Sequence, residues 1–332
     1  KPPFAHRNPR TWAARTNFTT YWILKRRKLK AINTNKPLNP IVKSFIAIPS
    51  KSLYRGAMSE ATTLTPMLQQ YQDIKKQYPD ILLFFRLGDF YELFFEDAIK
   101  ASAALDITLT RRGKTEGEEI TMCGVPFPAS DSYLAKLLRH GFKVAISEQL
   151  EDPSEAKKRG PKAVVRRDVV RVITPGTLTE DTLLESGQHN FLCALTKIKG
   201  QWGLASMDIS TGTFILIPCQ LQTLATEIDR LMPKEILLPQ QLTLDPELVE
   251  LLETWKSPLT IQPDSRFDLQ NGQKRLQDIF QVQYLEIFGS FTPAEIAAAG
   301  ALVEYVNLTQ CGKVPLIQKP QRLTHQDALQ ID

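Results

Sequence analysis

Within the run Arg86-Leu87-Gly88-Asp89-Phe90-Tyr91-Glu92-Leu93-Phe94-Phe95, a glycine turn precedes an aromatic residue and, two places on, a carboxylate. In extended chain, residues i and i+2 project from the same face. Phe90 and Glu92 therefore point together, as an apolar wedge beside a hydrogen-bonding head. That pairing is what a protein needs to push a ring into a base stack and then test the displaced base. Residue type alone leaves a plainer reading open. An aromatic in a strand ordinarily belongs to the core, and a lone carboxylate there ordinarily faces water.

The chemistry of such a wedge is differential. Inserting a ring costs a few kcal/mol of unstacking, and less where a base is already poorly stacked. Deformation energy, rather than base letters, then separates damaged from intact duplex. An ionised Glu92 only accepts hydrogen bonds, so it must be protonated to donate to a ring nitrogen. Nearby phosphates and desolvation both favour that proton. The expectation is that Glu92 penalises ordinary duplex by repulsion, relieved only when a displaced base accepts its proton. Arg111 and Arg112 follow the next strand and precede Gly113. They read either as a solvated turn or as backbone contacts to phosphates near the wedge, acting alike on every duplex.

The elements that must position these residues are legible as a mixed α/β module. Thr65 is a plausible N-cap with Pro66 at the first helical position. Leu68, Tyr71, Ile74 and Tyr78 recur at helical spacing, and Pro79 stops the run. Residues 81–85 form an apolar strand, Gly88 permits a bend, and 90–94 form a second strand. A helix over 96–105, a strand over 107–110, a polar loop over 113–119, a helix over 130–140 and a strand over 143–147 follow. Gly141 caps the later helix. Residues 151–167 read as a mobile loop whose Lys157, Lys158, Arg159, Lys162, Arg166 and Arg167 either touch phosphate or are simply solvated. Residues 175–187 read as a linker. Beyond it, 191–197, 203–209 and 212–217 suggest a three-stranded meander. A helix over 224–231, strands over 235–238 and 259–261, and helices over 274–280 and 293–309 complete the second module.

Composition narrows the classes. The sequence pI of 8.9 suggests a nucleic-acid binder, but the charge is unevenly distributed. Residues 1–57 hold thirteen of the 41 Lys and Arg and no Asp or Glu, which leaves 28 bases against 36 acids, a net of −8, in the remaining chain. Affinity for DNA must therefore come from a local basic surface or from elsewhere in the protein. The basic stretch reads best as upstream sequence preceding a true start at Met58. A transit peptide or a DNA-touching basic arm are the alternatives. The run Tyr21-Trp22-Ile23-Leu24 is too short for a signal core, and no stretch approaches the roughly 20 apolar residues of a membrane span. Cys123, Cys193, Cys219 and Cys311 are far apart, as are the four histidines. That argues against a structural zinc site or a disulfide framework and for reduced, buried thiols.

The wedge sequence resembles the mismatch-recognition domain of the MutS family of DNA mismatch repair sensors, whose mark is the Phe-x-Glu within Gly88-Asp89-Phe90-Tyr91-Glu92. Other segments agree in order and spacing. They are Thr65-Pro66-Met67, Leu105 to Gly113, Gly124-Val125-Pro126, Ala145 to Gln149, Val170 to Thr177 and Asp208 to Gly212. Pro128 stands where the family ordinarily has a histidine. The resemblance implies a fold of two α/β parts, a mixed-sheet mismatch-recognition domain over 58–185 and a ribonuclease-H-like connector domain over 186–308. Residues 1–57 would precede them as a basic extension, and 309–332 would begin a core domain. It also implies that Phe90 and Glu92 contact mispaired or unpaired bases in duplex DNA, with Arg111 and Arg112 as the candidate DNA contacts to nearby phosphates. This segment itself would carry no catalytic or metal-ligating residue and no cofactor. ATP and Mg would serve an ABC-type ATPase module of the full-length protein, since no GxxxxGK[ST] loop occurs here. Partners would be mismatched duplex, a second copy and a repair factor of the MutL type, with no membrane. The location would be cytoplasmic and nucleoid-associated, or organellar if residues 1–57 are a transit peptide. Two alternatives remain. Asp208 could belong to a ribonuclease-H-type nuclease, with Glu235 and Asp264 as candidate partners for two metal ions. Or the chain could be a relative acting on recombination junctions, although such relatives generally lack Phe-x-Glu.

Overall fold

The structure, a computed structural model, describes residues 64–323 except 116–117, 161–162 and 256–257. The expectations for residues 1–57 lie outside the described residues.

The first module is built on a six-stranded sheet of order β3-β4-β2-β1-β5-β6. Its strands are β1 (Leu82–Leu87), β2 (Phe90–Phe94), β3 (Thr110–Thr115), β4 (Glu118–Pro126), β5 (Val144–Gln149) and β6 (Arg167–Ile173). Only the β1–β5 pair is parallel. Both faces are covered, which explains why β1 reads as a continuous apolar run rather than an alternation. One face packs Leu82, Phe84, Tyr91 and Leu93 against helices α2 (Phe95–Leu105) and α3 (Ser130–Arg139). The other packs Leu83, Phe85 and Phe94 against Leu68, Tyr71 and Ile74 of α1 (Pro66–Lys75). Thr65 caps α1 and Pro66 opens it, as the sequence suggested. The buried Asp97 ties these layers together. It accepts from Leu83 N at 3.0 Å and Tyr71 Oη at 3.2 Å, and pairs with Lys75 Nζ at 2.8 Å.

Four local expectations need correction. The polar stretch 113–119 is not a loop, because β3 and β4 continue as a hairpin to Thr115 and Glu118. A register shift falls between Arg111 and Lys114, where Gly113 adopts φ +74°. Charged residues can extend a ribbon whose faces are wet, and polarity alone did not mark a break. The strand expected over 107–110 accordingly starts only at Thr110. Residues 151–167 are not one loop either. Asp152 caps a short helix, α4 (Pro153–Lys158), and Arg167 starts β6, a strand the sequence reading did not assign. Residues 175–187 are not a free linker, because Leu178 is buried and Leu183 and Leu184 pack on the first core.

The second module has a six-stranded sheet of order β11-β10-β7-β8-β9-β12. The meander is β7 (Leu192–Ile198), β8 (Gln201–Asp208) and β9 (Thr213–Cys219). β10 (Glu235–Pro239) and β11 (Leu259–Gln262) add in parallel on one side, and β12 (Gln321–Arg322) on the other. Helices α5 (Leu221–Leu231) and α6 (Pro246–Thr254) contribute Leu224, Ile228, Leu248 and Leu252 to one face, α6 being unforeseen. On the other face lie α7 (Leu269–Phe280) and α8 (Pro293–Thr309). α8 is apolar on every side because it is sandwiched between β8 and α7. Small residues allow that approach. A Cβ on Gly203 would sit 2.3 Å from the Ala294 carbonyl carbon, and one on Gly300 would sit 2.2 Å from Gly272 Cα.

One buried carboxylate joins the modules. Glu235, fully buried at the start of β10, pairs with Lys143 Nζ at 2.9 Å and accepts from Thr174 Oγ1 at 2.5 Å in the first module. In its own module it accepts from Thr260 Oγ1 at 2.5 Å and Tyr305 Oη at 2.8 Å. Burial raises its pKa, but Lys143 and the hydroxyl donors outweigh that and hold it below the usual glutamate range.

Candidate nucleic-acid interface

Gly88 and Asp89 form a two-residue turn between β1 and β2, with Leu87 opposite Phe90. Gly88 has φ +60°, the conformation a tight hairpin demands at its first turn position and one only glycine adopts without strain. Asp89 O accepts from Phe127 N at 2.8 Å, which fastens the turn to the end of β4.

Strand alternation then sets the site. Phe90, Glu92 and Phe94 share the face that α1 covers. α1 buries Phe94 but does not extend over the hairpin tip, so Phe94 is fully buried while Phe90 remains 46% exposed. The ring is thus presented outward by the same face that makes the core a few residues later. Across from Glu92 on β4 is Gly124. The nearest atoms to a Cβ there would be Tyr91 O, Glu92 Cγ at 3.7 Å and Phe90 Cδ1 at 3.9 Å. No side chain rises between β4 and the Phe90–Glu92 pair at that position.

Glu92 is half-buried. Its Oε2 accepts from Arg112 at 2.7 Å, an ion pair that reaches across β4. Burial pushes the Glu92 pKa up. Arg112 opposes that, and the balance leaves the carboxyl above its ordinary value. Arg111 behaves differently. It pairs with Glu119 at 2.8 Å at a site where both side chains are largely exposed. The structure therefore brings Phe90, Glu92 and Arg112 together and leaves Arg111 beside them on the outer strand.

The opposite face of the tip carries residues the sequence reading did not single out. Arg86 Cζ lies over the Phe127 ring, 3.4 Å from its centroid, and Nε donates to Gly88 O at 2.6 Å. Tyr91 Oη donates to Glu148. Burial first, and then Glu148, push the Tyr91 hydroxyl well above its ordinary pKa. Arg86 precedes the turn by two residues, and that offset was the only available signal for it. Of the basic cluster at 157–167, Lys158 pairs with Glu155 at 2.6 Å and Arg159 with Glu151 at 2.7 Å. Arg167 is buried, donating to Arg86 O at 2.7 Å, and so is not a phosphate contact. Lys157 and Arg166 are exposed, and Lys162 lies outside the described residues.

The three carboxylates considered for metal binding are separately engaged. Asp208 accepts from His189 Nδ1 at 2.9 Å and Ser210 Oγ at 2.6 Å. Burial raises its pKa, but these donors and two backbone amides leave it below the ordinary aspartate value. Glu235 is committed to the junction described above, and Asp264 accepts from Gln241 N at 3.0 Å. Among the described residues, no group of three or more His, Cys, Asp and Glu is gathered in a way that could hold a metal ion.

Comparison with known proteins assigns both modules to one family. Residues 65–182 match MutS domain I, and residues 190–318 match MutS domain II. The class is thereby defined as a mixed-sheet α/β domain with an exposed aromatic hairpin, followed by a second mixed-sheet α/β domain. The chain is 53% identical over 270 residues to the DNA mismatch repair protein MutS of Ruegeria sp. (strain TM1040), covering 81% of this chain and 31% of that protein. It is 51% identical over 268 residues to the protein of the same name from Paracoccus denitrificans (strain Pd 1222), covering 81% of this chain and 30% of that protein. The chain belongs to the MutS family. It spans a little under a third of the length of these curated relatives.

Proposed function

We propose that this chain is the mismatch-sensing part of a DNA mismatch repair protein. The observation that carries the reading is the outward placement of Phe90 at a braced hairpin tip, with Glu92 beside it. A duplex approaching the tip meets a ring ready to enter the stack and, beside it, a half-buried carboxyl whose pKa burial has raised, so that protonation to a donating form costs less than for an exposed glutamate. Intact steps resist entry and offer Glu92 no partner, whereas a mispair yields at lower cost and supplies one. Arg112, paired with Glu92, and Arg111 on the same outer strand supply positive charge for nearby phosphates.

The division proposed for the sequence follows the same reading, with mismatch recognition over 58–185, a connector over 186–308 and the start of a core from 309. The whole protein would act as a dimer, bind ATP with Mg in an ABC-type module beyond these residues, and pass its signal to a MutL-type partner. Its location would be cytoplasmic, at the nucleoid. No helix among the described residues is long and apolar enough to cross a membrane.

The test is an affinity comparison for the full-length protein on a G·T duplex, the same duplex fully paired, and a four-way junction. Preference for the G·T duplex, lost in Phe90→Ala, is the expected result. Preference for the junction, or discrimination that survives Phe90→Ala, would overturn the reading.

A further inference from the structure

Arg111 and Arg112 are adjacent in sequence but differently held. Arg111 sits in a surface pair with side-chain exposures of 71% and 44%, the kind of pair that yields readily to a competing phosphate. Arg112 is bound to a carboxylate whose side chain is only 16% exposed, while its own is 49% exposed. The inner partner of that pair has lost much of its water, and the outer partner can turn toward solvent. Arg167, the next basic group, favours the Glu92 charge from a distance but does not replace the direct pair, since its guanidinium donates to Arg86 O, Gln70 Oε1 and Val165 O.

We propose that Arg112 is a transferable counter-ion, held on Glu92 in the free protein and on intact duplex and passed to a backbone phosphate only when Phe90 enters the stack. This rests on the wedge reading above. Removing Arg112 from Glu92 strips a half-buried carboxylate of its partner, which is costly unless something else satisfies it. On intact duplex nothing does, so Arg112 stays and makes no phosphate contact. On a mispair, Glu92 takes up one proton from solvent as Arg112 leaves, and the displaced base accepts the hydrogen bond of the protonated carboxyl. Arg112 thereby ties backbone grip to the outcome of the base test, which makes it a specificity-determining residue rather than a uniform phosphate contact.

The experiment is a mutant cycle in the full-length protein with Arg112→Gln, Glu92→Gln and the double variant. Each is titrated with the G·T duplex and its fully paired counterpart over a range of salt. Arg112→Gln is expected to weaken G·T binding about tenfold and lower its salt slope by about one. On the paired duplex the loss should be smaller, from the unmasked Glu92 charge alone, and the salt slope nearly unchanged, because Arg112 touches no phosphate there. In the Glu92→Gln background Arg112 is no longer sequestered. Adding Arg112→Gln should there weaken paired-duplex binding by a similar factor. Arg112→Lys, which keeps a cation on Glu92, should retain most of the wild-type preference. Equal losses on both duplexes, no loss on either, or additive effects of the two substitutions would overturn the transfer. These failures are distinguishable from failure of the wedge reading, in which the wild type shows no preference dependent on Phe90.

Discussion

Phe90 and Phe94 offer a controlled comparison, because they lie on one strand and one face. Phe94 is fully buried, 5.1 Å between ring centroids from Tyr71 of α1. Truncating it to alanine should cost about 3–5 kcal/mol of stability. Phe90 is nearly half exposed and outside that cluster. Full burial of a phenylalanine is worth about 1.5–3 kcal/mol, so truncating the half-buried Phe90 should forfeit about 0.8–1.5 kcal/mol, well below the loss at Phe94. The functional ranking is reversed. A base stacked on an aromatic ring contributes about 1–3 kcal/mol, a factor of about 5 to 150 in Kd. Phe90→Ala should therefore leave the urea midpoint close to wild type while weakening binding to a G·T duplex by that factor, read by fluorescence anisotropy. Phe94→Ala should lower the midpoint markedly. Should Phe90→Ala unfold as readily as Phe94→Ala, the ring is structural and the argument for a wedge is lost.

Glu92→Gln should strengthen binding to fully paired duplex several-fold and blur discrimination; unchanged paired-duplex affinity would count against electrostatic rejection by Glu92. Lys143→Met leaves the buried Glu235 without its cation and should cost about 3–5 kcal/mol, measured by thermal unfolding. Adding Glu235→Gln to that variant should restore part of the loss. Gly203→Ala drives a methyl group into the Ala294 backbone at 2.3 Å and should lower stability by about 1–3 kcal/mol in a denaturant titration. Asp208 and Glu235 have pKa values held below their ordinary ranges, so their contribution is complete above the unfolded carboxylate value near pH 4. It is lost as the pH falls through the folded values. Acid titration of the unfolding midpoint should show this loss, reduced in Asp208→Asn.

How much was legible in the sequence depended on whether a signal was local. The i, i+2 spacing placed Phe90 and Glu92 on one face, and the Gly88 turn separated their strand from β1. The α1 cap and the 293–309 helix were also local patterns, set by Thr65-Pro66 and by an apolar run opened at Pro293. Whether Phe90 would be covered was not local, because it depends on where α1 ends against the sheet. The Glu92–Arg112 pair was equally hidden, since it spans two strand pairings and a bulge in a stretch read as a loop. Arg167 looked like a surface cation from composition, and only the pairing of β6 with β5 shows that it is interior. Glu235 was singled out only as a candidate metal ligand, and nothing local marked it as the carboxylate of a buried junction. Its partners Lys143, Thr174, Thr260 and Tyr305 are gathered from distant points of the chain.

A carboxylate surrounded by donors from two bodies behaves as a detent. Full engagement satisfies every lone pair, whereas a slight slip exposes charge to a dry environment and gains nothing in return. Sliding at this joint is therefore disfavoured, because Lys143 before β5 and Glu235 on β10 would have to part in a dry setting.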